Sequence, residues 1–211
     1  HVSSIGNIYD DGFNMVSPDI DLLNTLNKIP FSVVNEQAKA QMLDIMQKCR
    51  KNLDSVGGTV ETAICGLPAG LGGALFDGLD GKIASYVFGI PAVKGIEFGI
   101  GFESSSLFGS ENNDPFVIEN CEVKTASNNC GGILGGISNS MPVIFKTAFK
   151  PTPSIAQKQQ SVNILQKTNA DLEIKGRHDP CVVPRAVVCV ESAAAMAVAD
   201  LMMIEGMLGG N

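Results

Sequence analysis

The chain has no tryptophan and only two tyrosines among its 211 residues, so its intrinsic absorbance and fluorescence are weak. It has no excess of positive charge either. A formal net charge of -7 excludes broad nucleic-acid binding, which needs a basic face to displace counterions from phosphates. Any phosphate site must then be a local cluster of cations, and Lys150 and Arg177 fit that description. Six cysteines are present (Cys49, Cys65, Cys121, Cys130, Cys181 and Cys189), but none falls in the tight C-x-x-C spacing of a zinc site. No metal site is expected, and most are read as buried free thiols. Cys49, Cys65 and Cys189 lie in apolar patterns where cysteine acts as a small hydrophobe. The glycine-rich stretches have neither the dinucleotide-binding spacing nor the Gly-Lys-Ser ending of a phosphate loop. No leader with a basic start and an apolar core is visible, so a cytoplasmic location is the default. Internal repeats and low-complexity linkers are also lacking, and residues 1–211 are taken as one unit.

What is present is an ordinary globular composition, 45% hydrophobic and 18% charged, unlike that of a disordered chain. Ser17-Pro18-Asp19 reads as a helix start, with the helix running over residues 17–28. Asn35-Glu36-Gln37 opens a second helix, whose apolar stripe of Met42, Ile45, Met46 and Cys49 recurs at three- and four-residue spacing; it should stop near Asn52. Residues 59–64 alternate as a strand, 66–73 form a loop rich in glycine, 76–87 look helical and 93–98 form a strand. The polar stretch 109–129 is expected to be a mobile loop or a hairpin. Residues 131–138 and 143–149 are expected to pair through a connection at 138–142, and 172–175 to add a short strand. The terminal helix, 183–208, is interrupted by Glu191, Asp200 and Glu205, leaving no uncharged run of the roughly 18 residues a bilayer span needs. It is expected to be largely buried between other layers.

The densest chemistry lies in Gly176-Arg177-His178-Asp179-Pro180-Cys181-Val182-Val183-Pro184-Arg185-Ala186-Val187, where two cations, an imidazole and a carboxylate precede that helix. Upstream stand Gly131-Gly132-Ile133-Leu134-Gly135-Gly136-Ile137-Ser138 and Lys150-Pro151-Thr152-Pro153-Ser154-Ile155. Earlier still are Asp54-Ser55-Val56-Gly57-Gly58, Gly66-Leu67-Pro68-Ala69-Gly70-Leu71-Gly72 and Ala92-Val93-Lys94-Gly95-Ile96-Glu97-Phe98-Gly99. In this order the blocks resemble the chorismate synthase family over nearly the whole chain. The family's opening Gly-Glu-Ser-His-Gly block, its second histidine and its run of arginines have no counterpart here, so the chain is expected to be a C-terminal part of such an enzyme.

The resemblance implies an α+β fold with helices sandwiched between antiparallel β-sheets. It also implies a homotetramer and an anti-1,4-elimination of phosphate from 5-enolpyruvylshikimate 3-phosphate that gives chorismate and requires reduced FMN. No nucleic acid and no membrane partner is implied. By the same resemblance FMN is contacted by Pro91, Ala92, Gly135, Lys150, Pro151, Thr152, Pro153, Ser154 and Arg177, and Asp179 is the catalytic proton-relay carboxylate. Pro91 stands where many relatives have asparagine, a change that removes a side-chain amide and a backbone donor. The residues themselves suit these roles. The prolines flanking Thr152 stiffen a loop with free hydroxyls, glycine at 135 permits close approach of a ligand, and arginine offers a planar fork of donors to a phosphate. Taken alone, Lys150 before a proline-rich turn would be a solvated lysine and Gly135 a bulge or packing glycine. Two roles that need not exclude one another stand for Asp179: a proton carrier, or a cap on the terminal helix with Arg177 as its surface partner.

Overall fold

The structure is a computed structural model that describes residues 1–208 apart from Arg177. Its centre is the seven-residue strand Val143–Phe149, whose side chains alternate between two buried faces. Val143, Phe145 and Phe149 enter one core and Ile144 enters another, as the period of two in a pleated strand requires. Numbered in chain order, the strands are β1 (Val2–Ile5), β2 (Ile8–Tyr9), β3 (Gly58–Ile64), β4 (Val93–Phe98), β5 (Phe116–Glu119), β6 (Glu122–Thr125), β7 (Ile133–Leu134), β8 (Ile137–Ser138), β9 (Val143–Phe149), β10 (Gln159–Asn163) and β11 (Thr168–Leu172). The helices are α1 (Ile20–Leu26), α2 (Glu36–Lys51), α3 (Leu79–Phe88), the single turn α4 (Gly109–Asn112) and α5 (Val183–Ile204).

One antiparallel sheet has the order β2-β1-β3-β9-β4, and three two-stranded hairpins, β5-β6, β7-β8 and β10-β11, stand outside it. Gly58↔Phe149 through Ile64↔Val143 set one side of β9, and Val93↔Phe149 through Phe98↔Phe145 set the other. The first face of the sheet carries the larger core, in which Val60, Phe145 and Val143 meet Leu79, Ile83 and Val87 of α3 and Val190, Ala194 and Ala197 of α5. Alanines let α5 lie close to its neighbours. Lys82 Nζ bonds Asp200 Oδ2 at 2.5 Å, and the Tyr86 hydroxyl donates to the same oxygen at 3.1 Å, tying α3 to α5. The second face is covered by Phe13, Leu26, Leu22 and Leu23 over Ile144 and Ala63. This layering of helices on antiparallel sheet is the α+β class expected from the sequence.

Several elements differ from the sequence reading. Helix α1 is capped by Asp19, whose side chain accepts the amides of Asp21 and Leu22, so it starts two residues after the Ser17-Pro18 signal and ends at Leu26. Helix α3 begins at Leu79, after a separate 3-10 turn at Leu75–Asp77. The stretch 109–129 takes the second of its two expected forms, a hairpin (β5-β6) preceded by α4, and is fastened by Asp114, which accepts from the Ser127 hydroxyl and from the amides of Asn129 and Cys130. Residues 131–138 pair with themselves as β7-β8, while β9 inserts between β3 and β4. Non-local pairing satisfies the backbone groups along both edges of β9, one of which a single local hairpin with 131–138 would leave open. Of the strand expected at 172–175 only Leu172 is in a strand, as the last residue of β11 paired with β10, and 173–175 lie in none.

Helix α5 is buried on one face only. Val188, Met196, Met203 and Ile204 are exposed on the other, so the expectation of a largely buried helix fails. Despite its acidic residues, α5 is long and apolar enough by length and composition to cross a membrane, with a mean hydropathy of 1.9 over its most apolar window; in this fold its buried face packs on β3 and α3. Among the thiols, Cys189 is exposed, Cys49 and Cys65 are half-buried, and Cys181 is buried. The apolar neighbours of Cys189 along the helix belong to its solvent side, which the pattern of the sequence does not reveal.

Candidate functional site

At the end of β9 the chain leaves the sheet at Phe149 and runs into the exposed Lys150. The Lys150 amide donates to the Ala92 carbonyl at 3.0 Å, which joins this loop to the turn that starts β4. Ala92 has a φ of +74°, a left-handed conformation uncommon for a residue with a β-carbon. Pro91 is exposed and Ala92 half-buried. The fold thus brings Pro91, Ala92 and Lys150 to one place through sheet register alone.

The connection between α2 and β3 forms a bracket beneath the loop. The Ser55 hydroxyl donates to the Thr152 carbonyl at 2.7 Å, and the Gln157 side-chain amide donates to the Asn52 carbonyl at 2.7 Å. Gly57 lies so close that a β-carbon there would sit 2.4 Å from Phe149 O and 3.1 Å from Pro151 N. The Val56 amide donates to the Pro180 carbonyl at 2.8 Å. The six-residue connection 52–57 therefore holds both the 150–154 loop and the segment carrying Asp179. Pro151 and Pro153 are exposed, and Thr152 and Ser154 half-buried. The Thr152 hydroxyl oxygen is buried and has no hydrogen-bond partner among the described residues. A buried hydroxyl without a partner is costly, and this one lies between two prolines beside a cation.

Asp179 forms an ion pair with Arg185 in the first turn of α5. It does not cap that helix: the residue at the cap position is Val182, with no side-chain cap bond, and a proline occupies the first turn. The capping reading of Asp179 is thereby corrected. The first turn instead supplies the arginine that the carboxylate meets. Arg177, assigned to FMN on resemblance, lies outside the described residues. His178 Nε2 lies 3.2 Å from the Ile174 carbonyl. Arg50, Asp54, Ile155, Gly176, His178 and Pro180 line a cleft of about 210 Å³ between the end of α2 and this segment. The next residue, Cys181, is buried, and that burial pushes its thiol up to about 11.

Gly135 stands apart from this group. It forms the β7-β8 turn with a φ of +59° and nothing within 4 Å of the place a β-carbon would take, so it is open to a ligand. Its neighbour Gly136 packs under the start of α3, accepting the Leu79 amide at 2.8 Å, and Gly132 abuts Pro142 just before β9. Lys150 lies beyond the other end of β9, a strand roughly 20 Å long at about 3.3 Å per residue. The β7-β8 hairpin thus leads into one end of the central strand and the Lys150 loop leaves the other.

Sequence reasoning missed three participants: Ser55 as the hydroxyl holding Thr152, Gly57 as the close-packing glycine under Pro151, and Arg185 as the partner of Asp179. The first two lie inside the Asp54-Ser55-Val56-Gly57-Gly58 block, so the signal was a Gly-Gly pair following a small hydroxyl residue. The third had only a cation near the start of α5 to mark it.

The fold and this cluster of exposed lysine, unpartnered hydroxyl, carboxylate and paired arginine define an α+β protein with a polar corner at one end of its central strand. Residues 1–203 match the family model described as chorismate synthase. The chorismate synthase of Dehalococcoides mccartyi is 48% identical over 188 residues, covering 89% of this chain and 52% of that protein. That of Methanosarcina barkeri is 45% identical over 188 residues, again 89% and 52%, and that of Archaeoglobus fulgidus 46% over 179 residues, 85% and 50%. A crystal structure of chorismate synthase superposes with a TM-score of 0.78 at 26% identity, covering 99% of this chain and 56% of that one. The chain belongs to the chorismate synthase family. It spans about half the length of the curated relatives it matches.

Proposed function

We propose that this chain is the part of a chorismate synthase that holds reduced FMN from one side and supplies a proton-carrying carboxylate. The enzyme is then a carbon-oxygen lyase that eliminates phosphate from 5-enolpyruvylshikimate 3-phosphate to give chorismate. The single observation that carries this reading is the buried Thr152 hydroxyl with no partner among the described residues, in a proline-stiffened loop next to the exposed Lys150. A polar oxygen-rich ligand satisfies that hydroxyl, and the cation favours an anionic one.

Family membership and the donor set both fit FMN. Lys150, the Thr152 and Ser154 hydroxyls and the Ala92 backbone would hold it, with Pro91, Pro151 and Pro153 as packing surfaces; the assigned contacts at Gly135 and Arg177 belong to the same reading. The cofactor when bound supplies a reducing centre that is regenerated, since the elimination has no net redox change. In the overall 1,4-elimination a ring C–H bond breaks, the double-bond electrons shift, and phosphate departs with the C–O bonding pair. Lys150 stabilises negative charge. Asp179 accepts and returns a proton while Arg185 holds its carboxylate in place. A homotetramer in the cytoplasm, with 5-enolpyruvylshikimate 3-phosphate as its ligand, completes the proposal.

A second reading, in which the chain by itself folds, assembles and binds FMN in part without turnover, is favoured by its span of half the relatives' length. Both readings meet in one experiment. The chain is titrated with oxidised and reduced FMN and then assayed for chorismate with reduced FMN and substrate. Weak FMN binding that Lys150→Ala abolishes, without turnover, is expected. FMN binding indifferent to Lys150→Ala refutes the assignment of the loop.

A further inference from the structure

On the face of the sheet that carries Phe13 and Ile144, a histidine lies between two carboxylates. His1 Nδ1 is 3.0 Å from Asp10 Oδ2 and His1 Nε2 is 3.0 Å from Glu61 Oε2. The side chains are 0%, 0% and 3% exposed, respectively. Asp10 also accepts the amides of Val34 at 2.6 Å and Asn35 at 2.8 Å, at the start of α2. Glu61, in the middle of β3, accepts the Phe13 amide at 2.8 Å, and its other oxygen faces Lys146 of β9 at 3.7 Å. The Phe13 ring packs on the imidazole with centroids 4.4 Å apart.

A neutral imidazole has one N–H and one lone pair, so it cannot donate to both carboxylates. Both acids already accept backbone amides, which favour their ionised forms. With both acids ionised, the arrangement is satisfied only by an imidazolium. Its loss would leave two buried carboxylates with one facing a nitrogen lone pair. We infer that His1, Asp10 and Glu61 form a pH-sensitive clasp, which holds the segment leading into α1 and the start of α2 against the sheet while the imidazole is protonated and releases them when it is not.

The charged groups facing the imidazole are Asp10 from the connection after β2, Glu61 from β3 and, through Glu61, Lys146 from β9; the α-amino group of His1 itself donates to the Glu61 carbonyl at 2.8 Å. Cys65 and Glu191 of α5 line the same cavity of about 330 Å³. Burial alone would lower the His1 value, but the hydrogen bonds to Asp10 and Glu61 outweigh it and hold it above 6.5. Burial likewise opposes ionisation of the acids, yet their bonds to His1 and to backbone amides hold Asp10 below 3.8 and Glu61 below 4.5. A raised histidine contributes stability that is complete below 6.5 and lost as the pH climbs through its folded value. The depressed acids contribute stability present above their unfolded values and lost as the pH falls through their folded ones. The clasp is therefore complete between about 4.5 and 6.5 and opens on either side.

The test uses the 211-residue chain, which has only two histidines, so its imidazole resonances can be followed by NMR from pH 5 to 10, with His178→Gln identifying His1. The expected result is a His1 midpoint above 6.5 that Asp10→Asn lowers. Amide protection at Phe13, Val34 and Asn35 should fall about tenfold per pH unit beyond that midpoint, the slope of a single linked proton. A midpoint at or below 6.5, one unmoved by Asp10→Asn, or protection that stays flat across the midpoint would each overturn the inference. The wild-type titration needs no variant, so the test stands even if Asp10→Asn fails to fold.

Discussion

Gly57→Ala is the sharpest probe of the bracket beneath the Lys150 loop. The new methyl carbon would lie 2.4 Å from Phe149 O, 3.1 Å from Pro151 Cδ and 3.1 Å from Pro151 N. None of these atoms belongs to a flexible side-chain end. Phe149 is held by β9 pairing on both sides and Pro151 by its ring, so the strain must be taken up by moving backbone. Overpacking of this kind costs about 1–3 kcal/mol. For a chain of this length each kcal/mol lowers Tm by about 2–4 °C, so the expected loss is about 2–12 °C. Gly81 is the control, because a β-carbon there meets nothing within 4 Å and the residue sits inside α3. Gly81→Ala should gain about 0.8–1 kcal/mol of helix propensity. The two identical chemical changes are thus expected to have opposite signs in thermal and urea unfolding. Gly57→Ala should also lose more FMN affinity than a variant equally destabilised elsewhere, since the atoms it displaces lead directly into Lys150. If Gly57→Ala unfolds at the wild-type temperature and binds FMN as well, the reasoning about the bracket is wrong.

In an enzyme carrying the whole family domain, Asp179→Asn should lower the elimination rate by roughly 10²–10⁴-fold, the usual contribution of a positioned acid or base, with little change in FMN affinity by titration; near-normal turnover would end the proton-carrier assignment. In thiol labelling of the native chain at neutral pH, the exposed Cys121 and Cys189 should react quickly. Cys181, buried and shifted to about 11, should react only on unfolding, and rapid native labelling of Cys181 by mass spectrometry would contradict its placement.

Elements specified by neighbouring residues were legible in the sequence. Asn35 as a cap followed by an apolar stripe predicted α2 almost to the residue, because the cap bonds run only two and three positions along the chain. Strands β3 and β4 were legible from alternation, and the family from blocks whose order survives in one dimension. Even local signals were ambiguous where two caps competed: Ser17 and Asp19 both suit a helix start, and only the observed bonds select Asp19.

The tertiary structure decided whatever depends on residues far apart in sequence. Alternation in 143–149 marks a strand but not its partners; its two edges are paired by β3 and β4, 81 and 47 residues upstream by the pairings Ala63↔Ile144 and Phe98↔Phe145, and separate layers then cover Phe145 on one face and Ile144 on the other. The same register delivers Lys150 to Ala92 and, with Ser55 and Gly57, builds the corner that no single motif contains. Gly135, by contrast, lies in the hairpin that leads into the opposite end of β9. The His1 cluster was wholly invisible beforehand, since Asp10 and Glu61 become partners only when β1 and β3 pair. Short-range hydrogen bonds and side-chain periodicity are written along the chain, whereas burial and charge pairing are properties of the folded surface and arise only when distant strands meet.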